Sequence, residues 1–176
     1  MRVARLDAVK SSSLRRQLSL YVPEPLRSVF DTVRAQADLI QHALIPAHAT
    51  LVRDGDVDDW SVVRARMEAL APVQVELAVE GLQFDDRGGT YLMLVDRDES
   101  FARLRASLLA DQPGSARVQT PHLTLMHPRN RASFEMSVAE LNEVTFPSSI
   151  RFDHVVMIEQ SPEQPWRIVA ASPESG

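Results

Sequence analysis

Apolar residues recur along the chain with two periods, and segments of the two kinds alternate. Steps of three and four residues predict amphipathic helices at 25–43, at about 60–70 and at 98–111, with a further short helix at 133–143. Strand-type runs separate the helices. They are LSLYV (18–22), AHATLV (47–52), VQVELAV (73–79), TYLMLV (90–95), HLTLM (122–126) and a closing hairpin of 149–160 with 166–171.

The order of these elements indicates the fold class. The predicted hairpins argue against an all-parallel sheet, so the pattern is typical of an α+β fold with antiparallel or mixed sheets. The order is also duplicated, because each half has a strand that begins with His-x-Thr and is followed by a helix. We therefore predict one bilobal domain at 18–171. Its two pseudo-symmetric lobes would flank a central cleft, after a disordered segment at 1–17 and before a tail at 172–176.

Composition limits the classes of function. The chain has no cysteine, which excludes disulfides, thiolate nucleophiles and cysteine-based zinc sites. A net charge of −5 argues against broad binding to duplex DNA or to an anionic membrane. No apolar run approaches the ~20 residues of a membrane-spanning helix, and the N-terminus lacks the apolar core of a secretory signal. A cytoplasmic location is the default expectation.

Two segments, PAHATL and TPHLTL, share a His-x-Thr-Leu pattern, with their histidines 74 positions apart. Side chains at i and i+2 of a strand point the same way, so His48 faces with Thr50, and His122 faces with Thr124. Two lobes packed face to face would bring both pairs to one cleft. Neutral and protonated imidazoles can act as general base and general acid, while hydroxyls bind phosphoryl oxygens. The pattern predicts metal-independent chemistry on a phosphodiester.

These residues resemble the 2H phosphoesterases, in particular the branch called 2′-5′ RNA ligase-like, over about 18–171. The resemblance implies hydrolysis of 2′,3′-cyclic phosphates at RNA ends or on small nucleotides, with reversible 2′-5′ ligation in some members and no cofactor. It makes His48 and His122 the acid–base pair, and Thr50 and Thr124 the phosphate-holding residues. Which histidine is the base stays open. In one departure, an Arg-Asp pair at 53–54 replaces an apolar pair found in many members.

Substrate contacts are predicted at Arg53, Tyr91, Arg129 and Arg131. Arg53 follows the first motif and can reach the rim of the cleft. Arg129 and Arg131 follow the second motif and suit phosphate or base contacts, although a solvated basic loop explains them equally well. Tyr91 can stack on a nucleobase, but packing within its hairpin is the preferred interpretation.

The sequence also predicts positions for His127 and Trp166. His127 is expected to be a loop residue on the far face rather than a metal ligand or a substrate contact, and Trp166 is expected to anchor the core or the lobe interface. The predicted partner is an RNA 3′ end or a small cyclic nucleotide phosphate, bound by a monomer. Two other functions stay open. One is a module that binds nucleotides or RNA ends without turnover, and the other is a zinc-dependent hydrolase, for which no H-E-x-x-H segment exists.

Overall fold

The computed structural model describes residues 14–133, 136–162 and 164–173, without the side chains of 131–133. The strands are β1 (Arg15–Tyr21), β2 (His48–Arg53), β3 (Val75–Phe84), β4 (Thr90–Val95), β5 (His122–Met126), β6 (Ser149–Phe152), β7 (Val156–Gln160) and β8 (Arg167–Ala171). The helices are α1 (Leu26–Ala37), α2 (Leu39–Leu44), α3 (Trp60–Glu68), α4 (Ser100–Leu108) and α5 (Val138–Asn142). Short 3₁₀ segments lie at Asp54–Asp56, Pro113–Ala116 and Pro128–Ser133.

The described strands form one sheet in the order β6-β3-β4-β5-β2-β1-β7-β8, and each pairing is antiparallel. The sheet consists of two four-stranded halves. They meet where β2 pairs with β5, through the single register pair Ala49 and Leu123. The innermost strand of each half is therefore the one that begins with His-x-Thr. This arrangement confirms the predicted α+β fold with two similar halves, built by antiparallel rather than mixed pairing.

The two innermost strands have one buried face and one partly open face. In β2 and β5 alike, the histidine and the threonine are partly accessible, while the residues between and after them are buried. Leu51 and Leu125 lie in the main core with Phe30 and Phe101. Because the apolar side of each strand packs against the helices, the imidazole and hydroxyl side is turned to the opposite surface.

The predicted helix at 25–43 is wrong as a single element, because α1 ends at Ala37 and α2 begins at Leu39. Asp38 lies between them in a non-helical conformation (φ −151°, ψ 80°), and its Oδ1 accepts the Gln41 N–H at 2.9 Å. Its Oδ2 accepts the N–H of His127, just after β5, at 2.8 Å. The break therefore ties the helical layer to the end of the second motif strand. The last helix, α5, is also shorter than predicted.

The predicted strand at 149–160 is two strands in opposite halves of the sheet, since β6 pairs with β3 and β7 pairs with β1. The predicted hairpin of β7 with β8 is confirmed. At the N-terminus, β1 begins at Arg15, so the predicted disordered segment is wrong for its last three residues, while 1–13 lie outside the described residues. Ser172 is not tail either, because it is buried and its hydroxyl accepts the Val155 N–H. Residues 174–176 are not described.

None of the helices in the described residues combines the length and the apolar character that a bilayer crossing requires.

Candidate active site

A cavity of about 890 Å³ opens above the seam between the two halves of the sheet. Both His-x-Thr pairs line it, so the structure brings together the four residues that the sequence placed in one cleft. The other lining residues include Arg15, Gln17, Arg53, Tyr91, His127 and Arg129.

The two motif histidines are held by the same kind of backbone contact. Nδ1 of His48 lies 2.8 Å from the carbonyl oxygen of Pro46, and Nδ1 of His122 lies 3.0 Å from that of Thr120. A carbonyl oxygen can only accept, so each Nδ1 carries a proton and donates it. In the neutral rings Nε2 is then unprotonated. Each histidine therefore offers Nε2 to the cleft as the nitrogen that can take up or give a proton.

A tyrosine from the neighbouring strand packs against each of these imidazoles. Tyr21 lies beside His48 with ring centroids 6.2 Å apart. Tyr91 meets His122 edge-on, at 5.3 Å between centroids and 84° between ring planes. The hydroxyl of Tyr91 donates to Oδ2 of Asp85 at 2.9 Å. Tyr91 thus lines the cleft as predicted, and it also packs within its hairpin and supports His122.

Burial disfavours the charged form of both motif histidines. The pKa of His48 is lowered to about 4, mainly by burial, with smaller contributions from the positive charge of Arg34 and from the neighbouring His122. Burial also lowers the pKa of His122, with a contribution from the charge of Arg53. The bonds to the backbone carbonyls oppose these shifts only in part. Both imidazoles are therefore neutral in the free protein at pH 7.

Gln17 connects the cleft to the first motif threonine. Its Nε2 donates to Oγ1 of Thr50 at 3.4 Å and to Oγ of Ser19 at 2.6 Å. Sequence reasoning missed Gln17 because it fell within the predicted disordered segment. The alternation of polar and apolar residues from Gln17 to Leu20 is the signal that could have placed it on a strand.

The second motif strand is held from behind by a buried guanidinium. Arg34 is 1 % exposed, pairs with Asp31 at 2.9 Å, and donates from Nε to the carbonyl oxygen of Thr124 at 3.2 Å. The same residue contributes to the low pKa of His48. Arg34 therefore positions β5 and contributes to keeping the imidazole of His48 neutral.

Arg53 lines the cleft at the end of β2, as predicted, and the turn that follows it is fixed by a buried carboxylate. Oδ2 of Asp56 accepts the Arg53 N–H at 3.1 Å. Asp56 also pairs with Arg105 at 3.2 Å and with Arg117 at 3.3 Å. The Gly-Asp-Val turn thus has a structural role, which is to set the direction in which β2 ends.

His127 is a loop residue, as expected, because it follows the last residue of β5. Its expected position on the far face is wrong, since it lines the cavity. Strand parity does not extend to it, since β5 ends at Met126. Arg129 lies beside it and also lines the cleft, as predicted. The backbone of Arg131 lies in the segment Pro128–Ser133, but its side chain is outside the described part, so its role stays a prediction.

Arg15 and Gln160 are among the cleft residues that no prediction contained, and Trp166 lies in the cleft wall. Among the described residues, no three histidine, aspartate or glutamate side chains are grouped closely enough to hold a metal ion. The cleft is instead rich in cations and hydrogen-bond donors, a composition suited to an anionic ligand.

Fold and cleft together define a class of bilobal α+β proteins in which two His-x-Thr strands line one cavity. The family model of the 2′-5′ RNA ligase superfamily matches residues 22–163, most of the chain, and the protein belongs to this family of 2H phosphoesterases. A sequence comparison with curated proteins gives no match.

Solved structures support the same fold. The chain is similar to Escherichia coli LigT in its apo form, with a TM-score of 0.57, 18 % identity, and coverage of 93 % of this chain and 100 % of LigT. For LigT complexed with 3′-AMP the TM-score is 0.56 at 17 % identity, covering 90 % of this chain and 96 % of LigT. For LigT complexed with phosphate the values are 0.55 and 16 %, covering 92 % and 97 %. At this level of identity the likeness concerns the fold.

Proposed function

We propose that the protein is a metal-independent phosphodiesterase that opens 2′,3′-cyclic phosphates at RNA ends or on small nucleotides. One observation carries the proposal: both His-x-Thr pairs line a single cavity, and each histidine offers Nε2 to it. Membership of the family supports an enzyme of the phosphoesterase or ligase type. The complexes of LigT with 3′-AMP, ATP, NADP+ and phosphate support a small nucleotide as ligand.

The stronger evidence for a neutral imidazole at His48 supports different roles for the two histidines. His48 is the general base, because its pKa of about 4 keeps it neutral throughout the physiological range. It takes a proton from water as the water oxygen bonds to phosphorus. His122 is the general acid, and its Nε2 gives a proton to the ribose oxygen that leaves as the cyclic P–O bond breaks. The net reaction consumes one water, and solvent then returns the proton from His48 to His122.

The acid must first acquire its proton, since both imidazoles are neutral in the free protein. A bound phosphate places negative charge beside His122 and offsets the effect of Arg53, which raises the pKa of the imidazole within the complex. Hydroxyls of Thr50 and Thr124 donate to the non-bridging oxygens, where negative charge increases in the transition state. Attack by a ribose hydroxyl in place of water would give the 2′-5′ ligation reaction on the same residues.

Incubation of the purified protein with adenosine 2′,3′-cyclic phosphate in excess chelator tests the proposal. The expected product is a single adenosine monophosphate isomer, because one ribose oxygen is protonated as it leaves. Loss of turnover in chelator would favour a metal-dependent hydrolase. Tight binding without any product from this substrate or from an oligoribonucleotide ending in a cyclic phosphate would favour the binding module.

A further inference from the structure

Three arginines of the cleft differ from most of the other described arginines in their partners, whereas a fourth, Arg16, pairs with Glu159. Most of the described arginines pair with a carboxylate within 4.0 Å. Within residues 14–133, 136–162 and 164–173, the cleft residues Arg15, Arg53 and Arg129 have no such partner. A shortage of carboxylates does not explain this, because the chain has 24 acidic and 19 basic residues. Cations concentrated in a cleft without ion-pair partners favour an anionic ligand.

Arg15 is held in place by neutral groups on the β7–β8 side of the cleft. Its Nη1 donates to Oε1 of Gln160 at 3.1 Å, and its guanidinium carbon lies 5.2 Å from the ring centroid of Trp166. A guanidinium over an indole face is a favourable cation–π arrangement. These contacts fix the orientation of the side chain but leave its charge unneutralised. Partial burial lowers the pKa of Arg15, and the positive charge of Arg129 is the next largest cause.

Arg129 is held by His127. The backbone N–H of Arg129 donates to Nδ1 of His127 at 3.1 Å, so the proton of the neutral ring is on Nε2. The guanidinium lies against the same ring, with Nε and Nη2 each 3.4 Å from a ring nitrogen. The segment is anchored in turn by Asp38, which accepts from the side-chain amide of Asn130 at 2.9 Å. His127 therefore adds an uncharged N–H donor beside Arg129.

The two guanidiniums repel each other in the absence of a ligand, and an anion bound between them removes this repulsion. The carboxylate of Asp54 also lines the cleft, and its charge raises the pKa of Arg15. It forms no ion pair with Arg15, and its Oδ2 accepts the backbone N–H of Arg16 at 2.9 Å, so it offsets the positive charge only in part. A single phosphate at the His-x-Thr pairs leaves room for more, because about 890 Å³ is near the upper end of the volumes that small-ligand pockets have.

We propose that Arg15 and Arg129 form a second anion subsite, which binds a phosphate group of the substrate other than the one that reacts. The inference rests on the proposed function and narrows the substrate class to cyclic phosphates that carry a further phosphate. That group can be a terminal 5′-phosphate on a small nucleotide or the next diester of an RNA chain. Arginine suits both, because its planar fork binds phosphate oxygens in pairs.

Three substrates distinguish a terminal 5′-phosphate from an RNA diester as the group bound at the second subsite. They are adenosine 2′,3′-cyclic phosphate, its 5′-phosphorylated derivative, and a diadenosine dinucleotide ending in a 2′,3′-cyclic phosphate. We expect kcat/KM of the wild type to be at least about tenfold higher for a substrate with a second phosphate, as charge-assisted hydrogen bonds of this kind provide. A preference for the 5′-phosphorylated mononucleotide identifies a terminal phosphate as the ligand. A preference for the dinucleotide alone identifies an RNA diester.

Arg15→Gln and Arg129→Gln should each reduce this preference, measured as the ratio of kcat/KM values, by about tenfold. Arg97→Gln is the matched control. Arg97 is exposed outside the cleft and also has no carboxylate within 4.0 Å among the described residues; this variant should keep the wild-type ratio. Equal kcat/KM for all three substrates, or an unchanged ratio in both cleft variants, would overturn the second subsite.

Calorimetry separates the failure of this inference from the failure of the proposed function. Adenosine 3′,5′-bisphosphate should bind the wild type at least about tenfold more tightly than 3′-AMP, and Arg15→Gln and Arg129→Gln should remove the difference. If no cyclic phosphate is turned over but this difference is found, the subsite stands and the phosphodiesterase proposal fails. Equal affinity for the two nucleotides would contradict the subsite whatever the turnover.

Discussion

His48 and His122 have the same hydrogen-bonded tautomer, although they lie in different halves of the sheet. The Nδ1–H of each donates to the carbonyl oxygen two residues earlier, at 2.8 Å and 3.0 Å. In each half, a backbone carbonyl just before the motif strand, of Pro46 or of Thr120, holds the proton on Nδ1 and leaves Nε2 as the reacting nitrogen. The two histidines thus share a hydrogen-bonding pattern, but the charged residues around each ring differ. Arg34 lies near His48 and Arg53 near His122, which makes the two imidazoles different acids.

The pH dependence of kcat/KM should follow from these shifts. The neutral form of His48, the general base, is lost only as pH falls through its pKa of about 4. The protonated form of His122, the general acid, is lost as pH rises through a pKa below its usual 6.5. We therefore expect kcat/KM for adenosine 2′,3′-cyclic phosphate to be higher at pH 5.5 than at pH 8, with a maximum on the acid side of neutrality. A profile that rises steadily up to pH 8 would reject this assignment of roles.

Folding stability should depend on pH through His48. Its pKa is about 4 in the folded protein and about 6.5 when unfolded, so the unfolded chain binds the proton first as pH falls. The contribution of a neutral His48 is complete above pH 6.5 and decreases towards pH 4. Between pH 7 and pH 5 it amounts to about 2 kcal/mol of unfolding free energy.

Urea denaturation of the wild type and of His48→Gln at these two pH values measures this contribution. The variant should lose less stability than the wild type between pH 7 and pH 5, by roughly 2 kcal/mol. His154→Gln, outside the cleft, controls for the removal of a histidine as such. Identical losses in the wild type and in His48→Gln would contradict the burial of a neutral imidazole at position 48.

The hydroxyl of Thr50 should be needed for turnover rather than for folding. Thr50→Val preserves the shape but removes the donor to phosphate and the acceptor for Gln17. We expect kcat to fall by ~10²-fold, the loss typical of one oxyanion-type donor, with thermal stability nearly unchanged. Thr50→Ser restores the hydroxyl and should recover most of the rate. If the serine variant is as slow as the valine variant, the role of Thr50 is packing.

The turn after β2 contains Gly55, and the segment Pro113–Ala116, which contains Gly114, packs against it. A methyl group should be tolerated at Gly55 and not at Gly114. A Cβ on Gly114 would lie 2.3 Å from Cβ of Asp56, whereas a Cβ on Gly55 would meet no atom closer than 3.6 Å. Gly114→Ala should therefore lower the unfolding free energy by about 1–3 kcal/mol, and more if Asp56 loses its partners. Gly55→Ala is the control within the same cluster. Equal melting temperatures for both variants would show that Asp56 does not fix the turn.

The features that the sequence predicted correctly depend on the alternation of side chains along a strand and on the spacing of the two motifs. His48 with Thr50, and His122 with Thr124, share a face because of strand geometry, and the doubled order of elements brings the two strands together. The same alternation gave no sign that the chain passes from one half of the sheet to the other between β6 and β7. Phe152 and Val156 are an even number of residues apart, so the apolar pattern continues through a segment in which the chain changes from one half of the sheet to the other.

The residues that sequence reasoning missed depend on long-range contacts. The apolar period runs across Asp38 without interruption, and its role in ending α1 is visible only from its bonds to Gln41 and His127. Arg15 and Gln17 were assigned to a disordered segment because their strand is defined by pairing with β2 and β7. Gln17 begins a short alternation with the apolar residues that follow it, but Arg15 is separated from that alternation by a second arginine.

The most direct test of the central claim is turnover of adenosine 2′,3′-cyclic phosphate by the wild type, His48→Ala, His122→Ala and the control His154→Ala, in excess chelator. We predict that kcat/KM falls by at least ~10²-fold in each motif variant and stays near the wild-type value in the control. Circular dichroism should give the same folded spectrum for all four proteins. Near-wild-type turnover by either motif variant would contradict catalysis by a pair of histidines at this cleft.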